Sequence, residues 1–324
     1  MGRKTGKKKR QPAAKAIAPK TVQPEMRNIH PRILAYAILL YFPVMTMFNL
    51  LRLWGFGFSI VDLGIFHQLI YNFCNGDFFQ TSMKYPFNAD SSWLGFHFII
   101  LPIILAAPLY YVFPHPETLC ILHVLVVSLT SIIVYKTCIK LRTGSGWACF
   151  WALIYLINPI TLYHALFSFQ EATLTTPLMA LAVYFVITRN FRWLCAVCAC
   201  LVLTKEHLGL TVAGFGMLWA LYHKDYKKGL ALILAGIIAF VLVVFVIIPH
   251  FSPYHAHFML TGESEKGAYN RYQWMLKPLP EVLMLMPEKL FTALNTVYIL
   301  KLLVPLLLLP LGAFIFLLPL GPDV

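Results

Sequence analysis

The stretch "CLVLTKEHLGLTVAGFGMLWALY", residues 200–222, places three consecutive ionisable side chains inside an apolar run. These side chains are Lys205, Glu206 and His207. An apolar run of about 20 residues is long enough for a helix to cross a bilayer, but charged groups surrounded by lipid are costly. The stretch therefore predicts a membrane segment that is interrupted where it carries its charges.

Composition extends this expectation to the whole chain. Of the 324 residues, 59% are hydrophobic and only 12% are charged, and the mean hydropathy is +0.72. A soluble domain carries roughly a quarter charged residues. Apolar runs recur from Arg32 onwards, so we expect an all-α, multi-pass protein of the cell membrane. Hydropathy and loop charge predict about eight transmembrane helices plus one re-entrant or interfacial helix.

The first 32 residues form a basic tail that differs from the apolar remainder. Ten of the 26 lysines and arginines lie there, together with a single acid, Glu25. A segment rich in lysine, proline and alanine cannot bury a core, so residues 1–32 are expected to be a disordered cytoplasmic tail that contacts anionic lipid. A nucleic-acid-binding arm is the alternative, and no nucleic acid is expected as a partner. Residues 33–324 are expected to form the multi-pass domain.

Basic clusters set the predicted orientation. They lie at 136–142, 189–192 and 223–228. The positive-inside rule puts them on the cytoplasmic side with the N-terminus. The first predicted helix, 33–53, leads out of the cytoplasm, so an odd number of crossings must follow before the first cluster. Only one of the two apolar segments in between, 97–113 and 117–138, can therefore cross. The short 97–113 segment contains two prolines, so we expect it to be the re-entrant or interfacial helix.

The same count of crossings predicts two long extracytoplasmic loops and a series of further transmembrane segments. The loops are residues 54–116, with amphipathic helices, and residues 250–301. The further crossings are expected at 147–163, 171–188, 229–249 and 302–320, with two more within 192–223. As a single helix, residues 192–223 would be about 45 Å long. It would also put two basic clusters on opposite sides of the membrane, although the positive-inside rule assigns both to the cytoplasm.

Two crossings within 192–223 leave about 12 residues before Lys205, or ~18 Å of helix. This is too short for a hydrocarbon core of ~30 Å. The "TKEH" segment is therefore expected to line a water-filled cavity that opens outward, where charge and irregular backbone are tolerated. The alternative is a buried Lys205–Glu206 pair that only locks two helices together.

The polar residues that are not orientation signals fall on the predicted outer face. They are Asp62, His67, Asp77, Asp90, His97, Gln170, Glu171, Lys205, Glu206, His250, His255 and His257. Polar groups that converge on one face favour an active or binding site, because a purely structural membrane protein does not need to gather them.

Asp62 opens the segment "VDLGIFHQLIYNFCNGDFF", residues 61–79, which has the pattern of a short amphipathic helix. An acid in the first turn also suits a helix N-terminus, so a capping role is the alternative to a functional one. A metal site at His67 and His97 is the alternative, but no two histidines have the spacing of facing helical ligands. The pair His255/His257 is expected to be solvated rather than ligating. Neither a metal site nor a cofactor is therefore predicted.

The seven cysteines give no reason to expect a disulfide. Cys195 and Cys198 have the CxxC spacing, but they lie in an apolar run without a second pair. We interpret them as packing residues, with redox or metal chemistry as the alternative.

Five segments resemble the successive motifs of a family of predicted membrane proteins, the domain of unknown function 2079. They are "DLGIFHQLIYN" (62–72), "WLGFHFIILPIILAAPLYYVFPHPETL" (93–119), "LINPI" (156–160), "FQEATLTTPL" (169–178) and "TKEHLGLTVAG" (204–214). The resemblance covers about residues 60–253. That family is similar to the GT-C glycosyltransferases, polytopic enzymes that take a sugar from a polyprenyl-phosphate donor on the extracytoplasmic face.

The resemblance implies a GT-C-like fold and a set of site residues. Asp62 matches the catalytic acid of the first outer loop, and Lys205 would stabilise the phosphate leaving group. The residues that would bind the substrate are His97, Gln170, Glu171, Lys205 and Glu206. The family pattern has a histidine where this chain has Gln170, and relatives continue through further helices, so we expect the sequence to be a C-terminally truncated piece. A transporter or flippase and a non-catalytic membrane protein are the alternative functions.

Overall fold

The computed structural model describes residues 2, 29–58, 60–82, 92–253, 255–257, 274, 277–290, 292, 296–297 and 300. Within these residues every regular element is a helix, and one isolated antiparallel bridge joins Gln80 to Ser92. The predicted all-α class is thereby confirmed. Residues 3–28 of the basic tail, Asp90, most of the second predicted loop and the last predicted span lie outside the described residues.

Twelve α-helices follow one another along the described chain. They are α1 (His30–Trp54), α2 (Ile65–Cys74), α3 (Leu101–Val112), α4 (Pro116–Lys140), α5 (Ser145–Ile157), α6 (Pro159–Ala165), α7 (Ala172–Ile187), α8 (Phe191–Val202), α9 (Leu208–His223), α10 (Tyr226–Leu242), α11 (Ile248–Phe251) and α12 (Leu279–Leu290). A π-helical turn, Ile60–Gly64, precedes α2, and a second one, Val243–Ile247, joins α10 to α11. A 3-10 turn covers Trp93–Gly95.

Three of the described helices are long and apolar enough to cross a membrane. They are α1, α4 and the continuous segment Tyr226–Phe251. The helices α5 and α6 together make a fourth, which is bent by 55°. The helices α3, α7, α8 and α9 are apolar but shorter. The chain thus has the helices of a membrane protein, but the predicted count of about eight crossings is not confirmed.

Several predicted segments coincide with observed helices. The segments 33–53 and 117–138 lie within α1 and α4, and 171–188 corresponds to α7. Within 97–113 only the 12 residues of α3 are helical. A helix of that length is ~18 Å long, against a hydrocarbon core of ~30 Å. That α3 does not cross the membrane stays a prediction, which its length favours.

The bend between α5 and α6 follows directly from the sequence. Proline cannot continue the helical hydrogen-bond ladder of α5, because Pro159 lacks an N–H group and its ring crowds the preceding turn. Asn158 instead starts α6 as its N-cap, with its side-chain oxygen accepting a hydrogen bond from the backbone N–H of Ile160 at 2.9 Å. The chain therefore turns at this asparagine and carries the following residues toward α1.

Helices α9 and α10 pack against each other along glycines. Gly209 and Gly216 of α9 face Gly236 and Gly229 of α10. A Cβ atom on Gly216 would lie 2.6 Å from the backbone N of Ile233 and 2.7 Å from the backbone O of Gly229. The two backbones are therefore in direct contact, as in the small-residue interfaces of membrane helices.

The segment that carries α2 and α3 forms a hydrophobic core with the start of α4. Helices α2 and α3 contribute Leu69, Ile70 and Ile103, which pack with Leu119 of α4 and with Phe169. The ring of Phe169 meets the ring of Phe66 edge-on, with 5.7 Å between their centroids. This packing fixes the π-helical turn before α2 next to the chain that precedes α7.

Candidate functional site

Six ionisable side chains gather where the break between α8 and α9 meets the segment that carries α2 and α3. They are Asp62, His97, Glu171, Lys205, Glu206 and His257, and are called the polar cluster below. The break itself is non-helical between α8, of 12 residues, and α9, of 16 residues. The predicted interruption of the helix at "TKEH" is confirmed.

Glu206 is the most deeply buried acid of the polar cluster, with 7% of its surface exposed. Its Oε1 accepts a hydrogen bond from Nδ1 of His97 at 2.8 Å. Its Oε2 accepts one from the backbone N–H of Phe98 at 3.2 Å. Nε2 of His257 lies 3.8 Å from Oε1. Both carboxylate oxygens are therefore held in fixed directions.

Lys205 forms an ion pair with Glu171, the residue directly before α7. Both side chains are partly shielded, with 24% and 17% of their surfaces exposed. The alternative interpretation is a buried pair between Lys205 and Glu206 that only holds two helices together. The observed pairs have other partners: Lys205 pairs with Glu171, and Glu206 pairs with His97. The lysine thus connects the break between α8 and α9 to the start of α7.

A chain of hydrogen bonds from α4 holds the turn that carries Glu171. The backbone N–H of Gln170 donates to Oγ1 of Thr173 at 3.2 Å, and this hydroxyl bonds Nδ1 of His123 at 2.7 Å. Nε2 of the same imidazole donates to the backbone O of His164 at 2.7 Å. Because the imidazole donates through Nε2, its Nδ1 accepts the threonine proton. Gln170 itself is half-buried within this turn, next to Glu171.

The end of α1 holds the residues just before this turn. The amide of Asn49 donates to the backbone oxygens of Ala165 and Phe167 at 2.7 and 2.9 Å. Nη1 of Arg52 donates to the backbone O of Leu166 at 2.9 Å. Side chains of two long helices, α1 and α4, therefore position the chain that leads to Glu171.

Asp62 lies in the π-helical turn that precedes α2. Gly64, the residue before α2, has helical dihedrals and no side-chain capping bond. Asp62 itself lies in the first turn of the helical segment that begins at Ile60, so the capping alternative for Asp62 stays a prediction. Burial raises the pKa of the Asp62 carboxyl above its ordinary value, and the negative charge of Glu171 raises it further. The positive charge of Lys205 acts in the opposite direction. Asp62 therefore lies within electrostatic range of the Lys205–Glu171 pair.

The segment that carries His97 is wedged between two other parts of the chain. The backbone N–H groups of Ile100 and Leu101 donate to the backbone O of Leu203, at the end of α8, at 3.0 and 2.8 Å. On the other side, a Cβ atom on Gly95 would lie 2.5 Å from the backbone O of Phe251. Glycine is needed at position 95 because no larger residue fits this close approach.

Other predicted polar residues lie outside the polar cluster. His67 of α2 bonds the hydroxyl of Tyr110 on α3 through Nε2 at 2.7 Å, and burial lowers its pKa. Asp77 and His255 are exposed. All seven cysteines are free, and Cys198 is buried in the core between α7, α8 and α9, as the packing interpretation predicts.

Apolar surface is exposed on the segments that adjoin His97 and His257 in the sequence. An open groove of about 490 Å³ is lined by Phe245, Val246, Ile247, Pro249, His250, Phe251 and His255. On α3, Leu105, Leu109 and Tyr111 are exposed, whereas Ile103 and Tyr110 are fully buried. Such surface suits contact with lipid chains.

Sequence reasoning missed two residues that form or support the candidate site. His257 is 6% exposed and faces Glu206, so the prediction that it is solvated is wrong. Its contact with a residue 51 positions away left no signal in the local sequence. His123 is fully buried in α4, and a lone histidine within an apolar span is the kind of signal that marks a functional position.

The whole polar cluster lies within the part of the chain that one protein-family profile matches. A family profile described as "Predicted membrane protein (DUF2079)" matches residues 52–323. No curated protein and no solved structure matches the chain. The family match confirms the resemblance of the motifs, and the similarity to GT-C enzymes stays a prediction.

Proposed function

Because this chain belongs to the DUF2079 family of predicted membrane proteins, we propose that it is a membrane-embedded glycosyltransferase of the GT-C kind. It takes a sugar from a polyprenyl-phosphate donor on the extracytoplasmic face and passes it to an acceptor hydroxyl. The observation that carries the proposal is the position of Asp62 within electrostatic range of Lys205 and Glu171, although the three come from distant parts of the sequence.

The proposed reaction assigns a role to each of these groups. The Asp62 carboxylate takes the proton of the acceptor hydroxyl as a general base. The acceptor oxygen then forms a bond to the anomeric carbon from the side opposite the donor phosphate, whose bond to that carbon breaks with its electron pair. Lys205 stabilises the negative charge that develops on the leaving phosphate. Glu171 holds the lysine in place by its ion pair.

The remaining candidates border the pocket in which the sugar would lie. Gln170 shares its turn with Glu171, and His97 bonds Glu206, the residue that follows Lys205. Their amide, imidazole and carboxylate groups suit hydrogen bonds to sugar hydroxyls. The apolar groove of residues 245–255 supports the proposal because a polyprenyl chain needs apolar surface near the reacting phosphate.

A transfer assay tests this function. Membranes from cells with and without the full chain are incubated with radiolabelled polyprenyl-phosphate sugars, and labelled products are separated from the donor. We expect the chain to increase transfer from at least one of these donors. Absence of transfer with every such donor would overturn the proposal.

A transporter or flippase is the second candidate function. The observation that favours it is the interrupted helix at Lys205 and Glu206, since discontinuous membrane helices form the substrate sites of many transporters. The two candidates differ in product. In proteoliposomes, a flippase moves the labelled lipid across the bilayer without chemical change, whereas a transferase cleaves the bond between sugar and phosphate.

Labelling of single cysteines checks the proposed orientation. The basic clusters predict that cysteines placed at Arg142, Asn190 and Asp225 are cytoplasmic, so an impermeant thiol reagent added to intact cells should not label them. A cysteine at His255, which is exposed, should be labelled from outside. Labelling at Asn190 from outside would contradict two crossings within 192–223.

The pH dependence of transfer follows from the raised pKa of Asp62. A general base works only in its ionised form, so the rate should fall as the pH drops through this pKa. The charge of Glu171 raises the pKa and that of Lys205 lowers it. Glu171→Gln should therefore move the acidic limb of the pH–rate profile to lower pH, and Lys205→Met should move it to higher pH.

The matched control for these two variants is Lys228→Met, which removes an exposed lysine of α10 that pairs with Asp225. This variant should leave the acidic limb in place. Shifts of the same sign for Glu171→Gln and Lys205→Met would contradict the assignment of the limb to Asp62.

A further inference from the structure

We propose that His97, Glu206 and His257 bind a divalent transition-metal ion, for which zinc is the best fit. The three residues offer two imidazole nitrogens and one carboxylate oxygen, and these atoms all lie within 4.8 Å of one another. The site does not depend on the proposed transferase activity, because the geometry concerns metal binding alone.

The distances between the ligand atoms are close to those that zinc requires. With bonds of ~2.0–2.1 Å, two ligand atoms of a tetrahedral zinc site lie about 3.3 Å apart. Oε1 of Glu206 is 2.8 Å from Nδ1 of His97 and 3.8 Å from Nε2 of His257. To reach this separation, Nδ1 of His97 and Oε1 must move about 0.5 Å apart, and Nε2 of His257 and Oε1 about 0.5 Å closer. Ligation requires an unprotonated nitrogen, so on binding His97 takes the tautomer in which Nε2 carries the proton and Nδ1 binds the ion.

The surroundings already orient these ligands. The backbone N–H of Phe98 holds Oε2 of Glu206, which leaves Oε1 to face the two imidazoles. The ring of His97 packs against the rings of Trp93 and Phe96, with 5.7 and 4.5 Å between centroids. Such supporting contacts fix the direction of metal ligands and strengthen binding.

The charge of the polar cluster also calls for a cation. It contains three carboxylates, those of Asp62, Glu171 and Glu206, and a single lysine, Lys205. With neutral imidazoles, the charges of the six described residues of the polar cluster sum to −2 in a partly buried region. A bound divalent ion is often the largest local charge in such a site.

The ligand set selects the kind of metal. Magnesium and calcium prefer all-oxygen sites, whereas imidazole suits zinc and its neighbours among the transition metals. Three protein ligands leave further positions of the ion open, as in catalytic zinc sites. His97 and Glu206 would then act on a substrate through the ion, in place of direct contact with a sugar.

Direct metal binding to the purified full chain tests the site. The protein, purified in detergent with a tag that contains no histidine, is loaded with Zn²⁺, desalted and analysed for bound zinc, and its affinity is measured by competition with a chromophoric chelator. We expect one zinc ion per chain. His257→Gln should weaken binding at least ~100-fold, since loss of even an indirect partner costs 10–100-fold.

The neighbouring histidine provides a matched control. His255 lies two residues from His257 but is exposed, so His255→Gln should bind zinc like the original chain. Equal losses in the two variants would identify surface binding and overturn the site. Absence of a stoichiometric zinc ion in the original chain would overturn it as well.

A third variant keeps the test decisive if His257→Gln fails to fold. His257→Cys supplies a thiolate in place of the imidazole, and thiolates bind zinc and cobalt well. After loading with Co²⁺, this variant should show a thiolate-to-cobalt charge-transfer absorption that the original chain lacks. A folded His257→Cys variant that binds Co²⁺ without this absorption would show that residue 257 is not a ligand.

Discussion

Replacing Asp62 by asparagine is expected to reduce sugar transfer by ~10²–10⁴-fold, the usual cost of losing a general base. The change is nearly isosteric and removes only the ability to take up a proton. The folded state should survive, because asparagine serves a helix N-terminus about as well as aspartate does, and Asp62 lies in the first turn of the helical segment that begins at Ile60. The measurement is the rate of transfer from a labelled polyprenyl-phosphate sugar in membranes that contain equal amounts of each variant.

The matched control for this prediction is Asp77→Asn. Asp77 lies in the same predicted outer loop but is exposed, so this variant should transfer sugar at the original rate. Full activity of Asp62→Asn would remove the general base from the proposed mechanism. The transporter and the non-catalytic alternatives would then explain the polar cluster better.

Replacing Gly216 by leucine is expected to destabilise the folded protein severely. The added Cβ atom alone would meet backbone atoms of α10 at 2.6 and 2.7 Å. Overpacking of a core costs typically about 1–3 kcal/mol, and a clash with backbone rather than with a side chain belongs at the upper end of this range. We expect a lower melting temperature and less monodisperse protein in detergent, measured by size-exclusion chromatography after heating.

Met217→Leu is the control for this second prediction. Met217 neighbours Gly216 on the same helix, but 44% of its surface is exposed. Its replacement places leucine at an exposed position of α9, and stability should stay nearly unchanged. If Gly216→Leu melted like the original chain, the close contact between α9 and α10 would be wrong. Because α9 begins directly after Lys205, Glu206 and His207, separation of these helices would also disturb the polar cluster.

The interrupted helix shows how far local sequence reasoning extends. The length of the apolar run and the charges of "TKEH" predict two helices with a break, and α8 and α9 have these lengths. The proline at position 159 similarly marks the bend between α5 and α6. Both features follow from neighbouring residues, since a helix depends on hydrogen bonds between residues four apart.

The count of crossings shows where such reasoning ends. Hydropathy and loop charge predict about eight spans, whereas three described helices, or four with the bent pair, have the length and composition for a span. The helices α7, α8 and α9 are apolar but short. Whether a short apolar helix crosses a bilayer depends on its neighbours and on the lipid, neither of which is encoded in its own residues.

The sequence by itself determined the all-α membrane class, the positions of the main helices and the break at Lys205–His207. These features depend on composition and on contacts within a few residues. Only the tertiary structure decided the partners within the polar cluster: Lys205 pairs with Glu171, and Glu206 with His97. It also brought His257 beside Glu206 and the glycines of α9 beside those of α10. Such contacts join residues far apart in the chain, and many pairings are compatible with one pattern of charges and glycines until packing selects among them.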